Sequence, residues 1–317
     1  MAYLHTLCQQ EGMSSSVYEA LSKGISPETL SSYSRLWKGF VEWLGKRESV
    51  PYLSPQLVCD YLLSKFNDGS STSSVNTIRS SINFFTLNFL DLENNIFVKK
   101  IFKFFYRSKP LKPRYTTFWP VNKVLDFLKN WYPIEDLSLK DLTLKTIALV
   151  ALTSSDRGQT LHLASVENME VLPDKILFVI RERVKNTRKV LKPTIITCIS
   201  SDITELDVAL HVSKYIERTS EFRDEGGKLF LSWASKKPVT KQTLARWLKL
   251  VLHLAGIDTS IFKAHSYRGA GLSKAYQKGA SIDQVVAAGN WANAQIFQSY
   301  YNAPSYETPI GALILEE

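Results

Sequence analysis

Residues 175–199 read KILFVIRERVKNTRKVLKPTIITCI and contain the clearest β pattern of the chain. Two runs rich in β-branched and other apolar side chains, 175–180 and 190–199, flank the polar residues 185–188. Such runs on either side of a polar turn predict an antiparallel hairpin. On both sides of the hairpin, apolar residues recur at spacings of three and four, which is typical of helices. The sequence therefore predicts a mainly α fold with a small antiparallel β-sheet.

Helical patterns begin near the start of the chain. Ser26-Pro27 and Ser54-Pro55 are helix start signals, because serine caps the first backbone N–H groups and proline suits the first turn. The predicted helices cover residues 16–45, a segment that begins at Ser54-Pro55, 73–89 and 94–107. None of these segments alternates like a strand, so this part of the chain predicts a compact all-helical module.

The remaining helices are predicted around the hairpin. Residues 138–154 are almost wholly apolar, which predicts a helix in the middle of a core. The other predicted helices cover 120–132, 205–219, 240–254, 266–278, 281–288 and 293–301. The second part of the chain therefore predicts an α+β domain.

Positive charge is concentrated between Lys99 and Arg114. The chain of 317 residues has a formal net charge of +9, and this stretch holds seven basic residues and no acidic one. Pro110 and Pro113 prevent the helix from continuing. The predicted organisation is a helical domain, a basic linker and a second domain, over residues 1–109, 110–116 and 117–317. The charge favours a polyanionic partner, because cationic surfaces release the counterions condensed on phosphate backbones.

Several kinds of function find no support in the sequence. The phosphate-binding pattern of P-loop enzymes, the dinucleotide pattern GxGxxG and the zinc pattern HExxH do not occur. The three cysteines, Cys8, Cys59 and Cys198, are far apart and lack the spacing of metal ligands, so we expect free thiols. We therefore expect no metal and no cofactor. There is also no apolar run of about 18 residues, and we expect a soluble, intracellular protein without a membrane segment.

Candidate functional residues occur in the second predicted domain. Arg157 follows the apolar helix 138–154, His265 and Arg268 are three residues apart, and Trp291 precedes the pair Tyr300-Tyr301. A spacing of three places His265 and Arg268 on one helix face, where both can grip the same ligand. Each residue alone also has an ordinary structural explanation, as a helix-end charge, a polar residue or a packed aromatic. Their order along the chain is the stronger signal.

From residue 150 onward the sequence resembles the tyrosine recombinases, a family that includes the Cre, Xer and lambda-type integrases and the recombinases of DIRS-type and Crypton-type mobile elements. The likeness is closest to the mobile-element branch, in the segments LHVSKYIERT (210–219), KQTLARWLK (241–249), AGIDTSIFKAHSYRGA (255–270) and FQSYYNAP (297–304). The resemblance implies a helical core-binding domain followed by an α+β catalytic domain. It also implies a site-specific DNA recombinase or integrase of a mobile element that cleaves DNA through a 3′-phosphotyrosyl intermediate.

The resemblance further implies a role for each candidate residue. Two arginines would hold the oxygens of the scissile phosphate by charge-assisted hydrogen bonds, a lysine would protonate the leaving 5′ oxygen, and a tyrosine would attack. The histidine would act as a base or as a phosphate donor, and the tryptophan would pack against the nucleophile's helix and donate its indole N–H. The implied set is Arg157, Lys185, His265, Arg268, Trp291 and Tyr301.

Two of these assignments leave alternatives, and so does a further residue that the family usually carries. Arg183, Arg188 and Lys189 share the hairpin with Lys185, and a shift of one residue changes which side chain enters the site. Tyr300 lies nine residues after Trp291, the spacing common in Cre-like and Xer-like members, and Tyr301 lies ten residues after it. We favour Tyr301 because the residues around it match the mobile-element pattern, namely Phe297, Tyr300, Asn302 and Pro304. Many members carry an acidic residue three positions after the first arginine, where it supports the site. This chain has Thr160 at that position, and Asp156 is the alternative for this supporting role.

The family likeness implies double-stranded DNA as partner. The predicted DNA-binding residues are Lys99, Lys100, Lys103, Arg107, Lys109, Lys112, Arg114, Lys241 and Arg246. The apolar tail Ile310–Leu315 would pack into a neighbouring subunit, giving a homotetramer on DNA by tail exchange, or fold back on its own domain. The protein would act in the nucleus of a eukaryote, or in the cytoplasm or nucleoid of a bacterium.

Two other functions fit the same residues. The first is a domesticated, catalytically silent protein of the same fold that binds DNA without cutting it. The second is a type IB topoisomerase, which shares the arginine, lysine and tyrosine chemistry, but the sequence around His265 is much less similar to that class.

Overall fold

The computed structural model forms two compact units, residues 1–112 and 113–317. The residues that it describes are 12, 14–46, 53–110, 115, 117–182, 193–223, 227–291 and 293–300.

All regular secondary structure in the described residues of the first unit is helical, as predicted. Its helices are α1 (Ser15–Lys23), α2 (Pro27–Leu44), α3 (Pro55–Asn67), α4 (Thr72–Phe85) and α5 (Ile96–Ser108). The side chains of Ser26 and Ser54 cap α2 and α3 by accepting hydrogen bonds from the backbone N–H groups of Thr29 and Leu57. The prediction of a single helix over 16–45 is wrong. The segment is divided into α1 and α2, because α1 ends at Gly24 and a new helix begins after the N-cap Ser26.

Aromatic side chains fill the core of this unit. The ring of Trp37 stacks on that of Phe85 at 5.3 Å, and Phe66 stacks on Phe105 at 4.4 Å. Thr72, at the start of α4, donates its hydroxyl to the carbonyl oxygens of Phe105 and Lys109. These contacts hold α5, the basic helix, against α3 and α4.

The second unit combines helices with a three-stranded antiparallel sheet of order β1-β2-β3. Its strands are β1 (Met169–Leu172), β2 (Lys175–Ile180) and β3 (Thr194–Ile199). Its helices are α6 (Val121–Lys129), α7 (Leu139–Ser154), α8 (Gly158–Leu163), α9 (Val208–Arg218), α10 (Lys241–Leu254), α11 (Ser266–Gln277), α12 (Ile282–Ala288) and α13 (Ala294–Tyr300). The predicted mainly α fold with a small antiparallel sheet is confirmed.

Helix α7 is the centre of the second core. Every residue from Leu142 to Leu152 is buried, which explains why this segment is almost wholly apolar. Helices α9, α10 and α11 pack around α7. The helix ends at Ser155, whose φ of 54° is in the left-handed region, and this turn directs the following residues out of the core.

Strand β2 pairs with β3 so that Phe178 lies opposite Ile196. The side chains of both are fully buried against the α7 core. The turn between β2 and β3, with Lys185 and its alternatives Arg183, Arg188 and Lys189, lies outside the described residues.

Candidate functional site

The second unit contains a cavity of about 590 Å³. Arg157, His265 and Arg268 all line it, although more than a hundred residues separate the first from the other two. The structure therefore brings together three of the residues that the sequence singles out. A cavity of this size that contains the guanidinium groups of Arg157 and Arg268 and the imidazole of His265 has the chemistry to bind a phosphate group.

Arg157 reaches the cavity because of the way α7 ends. After the left-handed turn at Ser155, the chain becomes extended at Arg157, which is the residue that precedes α8. The Oγ of Ser155 donates to the carbonyl oxygen of Leu152 at 3.2 Å, which satisfies one of the last carbonyls of α7. The side chain of Arg157 is half-buried at the cavity wall.

Arg268 is almost completely buried, with 5% of its surface exposed. Its Nη1 donates to the carbonyl oxygen of Ser155 at 3.0 Å, and its Nη2 donates to the carbonyl oxygen of Gly289. Its guanidinium also lies over the indole of Trp291, 5.0 Å from the ring centroid. These backbone and ring contacts hold the guanidinium in place before any ligand arrives.

Helix α11 carries Arg268 and packs very closely on the end of α7. A Cβ atom at Gly271 would lie 2.5 Å from the carbonyl oxygen of Leu152 and 2.9 Å from the Oγ of Ser155. Only glycine permits this approach. The close contact places Arg268 beside the carbonyl of Ser155, two residues before Arg157.

His265 lies at the beginning of α11 and is exposed. Its Nε2 is 2.8 Å from the hydroxyl of Tyr115, and the two rings are stacked with centroids 5.3 Å apart. The next residue, Ser266, is buried and accepts a hydrogen bond from the indole Nε1 of Trp119 at 2.8 Å. Residues at the start of the second unit therefore support the segment that presents His265.

The cavity is strongly cationic. Among the described residues that line it, six are lysine or arginine and Asp156 is the one acid. Lys241 and Arg246, predicted to bind DNA, lie in this wall, together with Lys249 and Lys263, which the sequence analysis missed. Lys249 lies two helical turns after Lys241 on α10, so the helical spacing of the two lysines was a signal for their common face.

The carboxyl group of Asp156 is the exception among these cations. Burial raises its pKa to about 6, although Arg268, a hydrogen bond with Ser154, and Arg157 all favour the ionised form. Thr160, at the position where the resemblance implied an acid, is buried on α8. An acid is therefore present near both arginines, but it precedes Arg157 instead of following it.

Trp291 belongs to a small core with Leu272, Val285 and Phe297. Its ring centroid is 5.7 Å from that of Phe297, which lies on α13. Tyr300 is the last residue of α13, and the structure describes its backbone alone. Tyr301 lies outside the described residues. Trp291 therefore connects Arg268 to the helix on which one of the two candidate nucleophiles lies.

In the first unit, α5 presents a basic face. Lys99, Lys103 and Arg107 line a surface depression of about 550 Å³ together with Arg79 of α4, and Lys100 is exposed on the same helix. Lys109 instead donates to the carbonyl oxygen of Phe66 at 3.3 Å and lies over its ring. Lys112 and Arg114 lie outside the described residues.

The described residues contain neither a membrane-spanning helix nor a cluster of metal-ligating side chains. No helix among them is long and apolar enough to cross a membrane. Within the same parts of the chain, no group of three or more histidine, cysteine, aspartate or glutamate residues has the arrangement of a metal site.

The fold is similar to several solved structures. The XerH site-specific recombinase bound to a palindromic difH substrate has 14% sequence identity and a TM-score of 0.66, and the match covers 91% of this chain and 80% of that one. The Tn1549 transposon integrase in complex with transposon right end DNA has 10% identity and a TM-score of 0.63, with 99% of this chain and 96% of that one covered. A lambda integrase dimer bound to a COC′ core site has 14% identity and a TM-score of 0.59, with 96% of this chain and 97% of that one covered. At these identities the similarity concerns the fold. No curated protein matches the chain by sequence.

A helical unit followed by an α+β unit is thus a fold that the chain shares with these recombinases and integrases. Residues 114–307, more than half of the chain, match the model of the phage integrase family. The chain belongs to the phage integrase family. The resemblance to tyrosine recombinases is thereby confirmed at the level of the family.

Proposed function

We propose that this chain is a site-specific DNA recombinase that cleaves and rejoins double-stranded DNA through a 3′-phosphotyrosyl intermediate. The observation that carries the proposal is the common cavity of Arg157, His265 and Arg268, with Lys241 and Arg246 in its wall. A scissile phosphate that enters this cavity meets two guanidiniums, which stabilise the charge that grows on the non-bridging oxygens in the transition state.

The proposed reaction exchanges one phosphate ester for another. The phenolic oxygen of Tyr301 transfers its proton to a base, for which His265 in the cavity is the candidate, and bonds to phosphorus, and the bond from phosphorus to the 5′ oxygen breaks. Lys185 donates a proton to the departing 5′ oxygen. The phosphotyrosyl ester retains the energy of the broken bond, so the 5′ hydroxyl of a second strand can reverse the step. Trp291 supports Arg268 and α13 during both steps.

The basic helix of the first unit would bind the DNA backbone. Residues 1–109 would form the core-binding domain, 110–116 the linker and 117–317 the catalytic domain, with Lys99, Lys100, Lys103, Arg107, Lys109, Lys112 and Arg114 near phosphates. Two observations support this proposal: α5 exposes its basic face, and the similar XerH, Tn1549 and lambda structures contain DNA. By the sequence likeness, the enzyme would serve a mobile element and assemble as a tetramer through its tail.

A covalent trapping experiment tests the proposal. The purified chain first selects its target from random duplex DNA, and the enriched duplex is then nicked near the cleavage point so that a short strand diffuses away after attack. We expect an adduct that survives denaturation, with the modified peptide containing Tyr301. Tyr301→Phe abolishes the adduct, Tyr300→Phe retains it, and Arg157→Gln abolishes it while the DNA remains bound.

The outcomes separate the alternatives. If Tyr300→Phe abolishes the adduct and Tyr301→Phe does not, the nucleophile is Tyr300. A wild-type chain that binds its selected duplex but never forms an adduct is a silent DNA-binding protein, and the recombinase proposal is then wrong. Relaxation of supercoiled plasmids that lack the selected site would instead support a topoisomerase.

A further inference from the structure

Arg79 lies on α4 and lines the surface depression beside the basic face of α5. Lys99, Lys103 and Arg107 line the same depression from α5, and Asn76 lies in it one turn before Arg79. None of the described residues that line this depression is acidic. Four positive charges close together repel one another, so the arrangement favours a polyanionic ligand.

Arg79 is held differently from the three cations of α5. Those side chains are exposed, whereas Arg79 is half-buried. The central carbon of its guanidinium lies over the ring of Phe102, 5.2 Å from the centroid. Phe102 is itself buried and makes an edge contact with the ring of Phe105 at 5.4 Å. The ring beneath Arg79 is therefore fixed by the core of the unit, and it restrains the guanidinium.

The N–H donors of Arg79 are not used by this ring contact. A guanidinium has five N–H donors in a planar fork, and an aromatic ring attracts its charge. Among the residues that the structure describes, no other residue forms a hydrogen bond or an ion pair with this guanidinium. The donors of a restrained, half-buried arginine thus remain for a ligand in the depression.

We infer that Arg79 is a base-reading residue, which donates two hydrogen bonds to O6 and N7 of a guanine in the major groove while the cations of α5 contact phosphates. The inference rests on the proposed function for its partner, double-stranded DNA. A restrained fork matches the two acceptors of guanine, whereas an exposed lysine is a mobile point charge that suits phosphate. Phosphate contacts carry no sequence information directly, so Arg79 would supply specificity where α5 supplies affinity.

Selection of duplexes from random DNA by the full-length chain tests the inference without any cleavage. Arg79→Lys keeps the charge and removes the fork. We expect the wild type to enrich guanine at a position where Arg79→Lys does not, with discrimination there lowered by about 5- to 150-fold, the range for one bidentate contact. Arg35→Lys makes the same change at an exposed residue of α2 and should enrich the wild-type sequence.

A second measurement changes only the DNA. In 7-deazaguanine a carbon replaces N7, and the pairing with cytosine is unchanged. At the selected guanine this base should lower the affinity of the wild type about tenfold, the effect of one lost hydrogen bond to a charged group. It should change the affinity of Arg79→Lys much less. Because the wild-type chain is unaltered, a folding defect cannot produce its loss.

The inference is overturned if Arg79→Lys enriches the same guanine as the wild type, if 7-deazaguanine weakens both proteins equally, or if the wild type enriches no guanine. Each of these results would leave Arg79 as a further phosphate contact at most. A wild-type chain that binds its selected duplex and forms no adduct defeats the recombinase proposal instead, and the two binding comparisons still decide the role of Arg79.

Discussion

The guanidinium of Arg268 lies over the indole of Trp291, 5.0 Å from its centroid, while its Nη2 donates to the carbonyl of Gly289 just before that tryptophan. A Cβ at Gly289 would collide with the indole ring. The turn between α12 and α13 is thus folded around one arginine. The ring face of Trp291 therefore helps to hold the guanidinium of Arg268 in place.

This contact predicts different results for two substitutions of Trp291. Phenylalanine keeps an aromatic face over Arg268 and loses the indole N–H, so Trp291→Phe should lower adduct formation by about tenfold or less. Trp291→Ala removes the ring from a buried cluster and should lower it by about a hundredfold or more. Trp233→Phe, in a pair stacked with Trp247 at 4.4 Å, is the control. Equal losses in the two variants would show that the indole N–H, and not the ring, is what matters.

At Gly271 we expect substitution to cause a packing defect that extends to Arg268 in the candidate site. Because a Cβ there would meet the carbonyl of Leu152 at 2.5 Å, Gly271→Ala should lower the free energy of unfolding by about 1–3 kcal/mol. Arg268 is one turn earlier on α11, so adduct formation should fall as well. At Gly158 a Cβ meets nothing within 4 Å, and Gly158→Ala should be as stable as the wild type in denaturant unfolding. Equal stability of both variants would contradict the close contact.

The fold was predictable where the sequence pattern is strong. The strand predicted at 175–180 is observed as β2 at Lys175–Ile180, and the helix predicted at 138–154 is observed as α7 at Leu139–Ser154. Strand β1 and helix α8 were missed because they have four and six residues, too few to show a period. The division at Gly24 was missed because the apolar spacing continues across it.

The residues that line the candidate site were predictable from the sequence, but the residues that contact them and hold them in place were not. Arg157, His265 and Arg268 were found from their order, and the structure places all three in one cavity. Tyr115 belongs to no motif, and its contact with His265 joins positions 150 residues apart. Asp156 is half-buried between the end of α7 and Arg268 of α11, an environment that no local pattern contains.

Because the pKa of Asp156 is raised, we expect the free energy of unfolding to fall as the pH rises. Its pKa in the folded chain is about 6, above the ordinary value of 3.8, so between about pH 4 and 6 the folded state binds more protons than the unfolded state. Above pH 6 the half-buried carboxylate lowers the free energy of unfolding by at most about 3 kcal/mol. Asp156→Asn should therefore be more stable than wild type at pH 7.5 and about equal at pH 4, by urea unfolding. The exposed Asp202→Asn is the control; if it gives the same difference, burial is not the cause.

The basic face of α5 predicts a salt dependence of DNA binding, if the proposed function holds. Lys99, Lys103 and Arg107 are four residues apart and line one depression, so one helix face can follow a phosphate backbone. Each phosphate contact releases counterions and adds about 0.9 to the slope of log K against log salt. Replacing Lys99 and Lys103 by glutamine should therefore reduce the slope by nearly two.

The control for this measurement has the same change of charge elsewhere in the unit. Lys38 and Lys65 are paired with Glu42 and Asp68 at 3.8 and 3.4 Å. Replacing both by glutamine should leave the slope unchanged, because neither lysine lies on the α5 face. If both double variants reduce the slope equally, binding depends on net charge alone, and α5 is not the surface that follows the backbone. A loss confined to the α5 variant distinguishes a defined contact from general attraction, because the two proteins have identical formal charge.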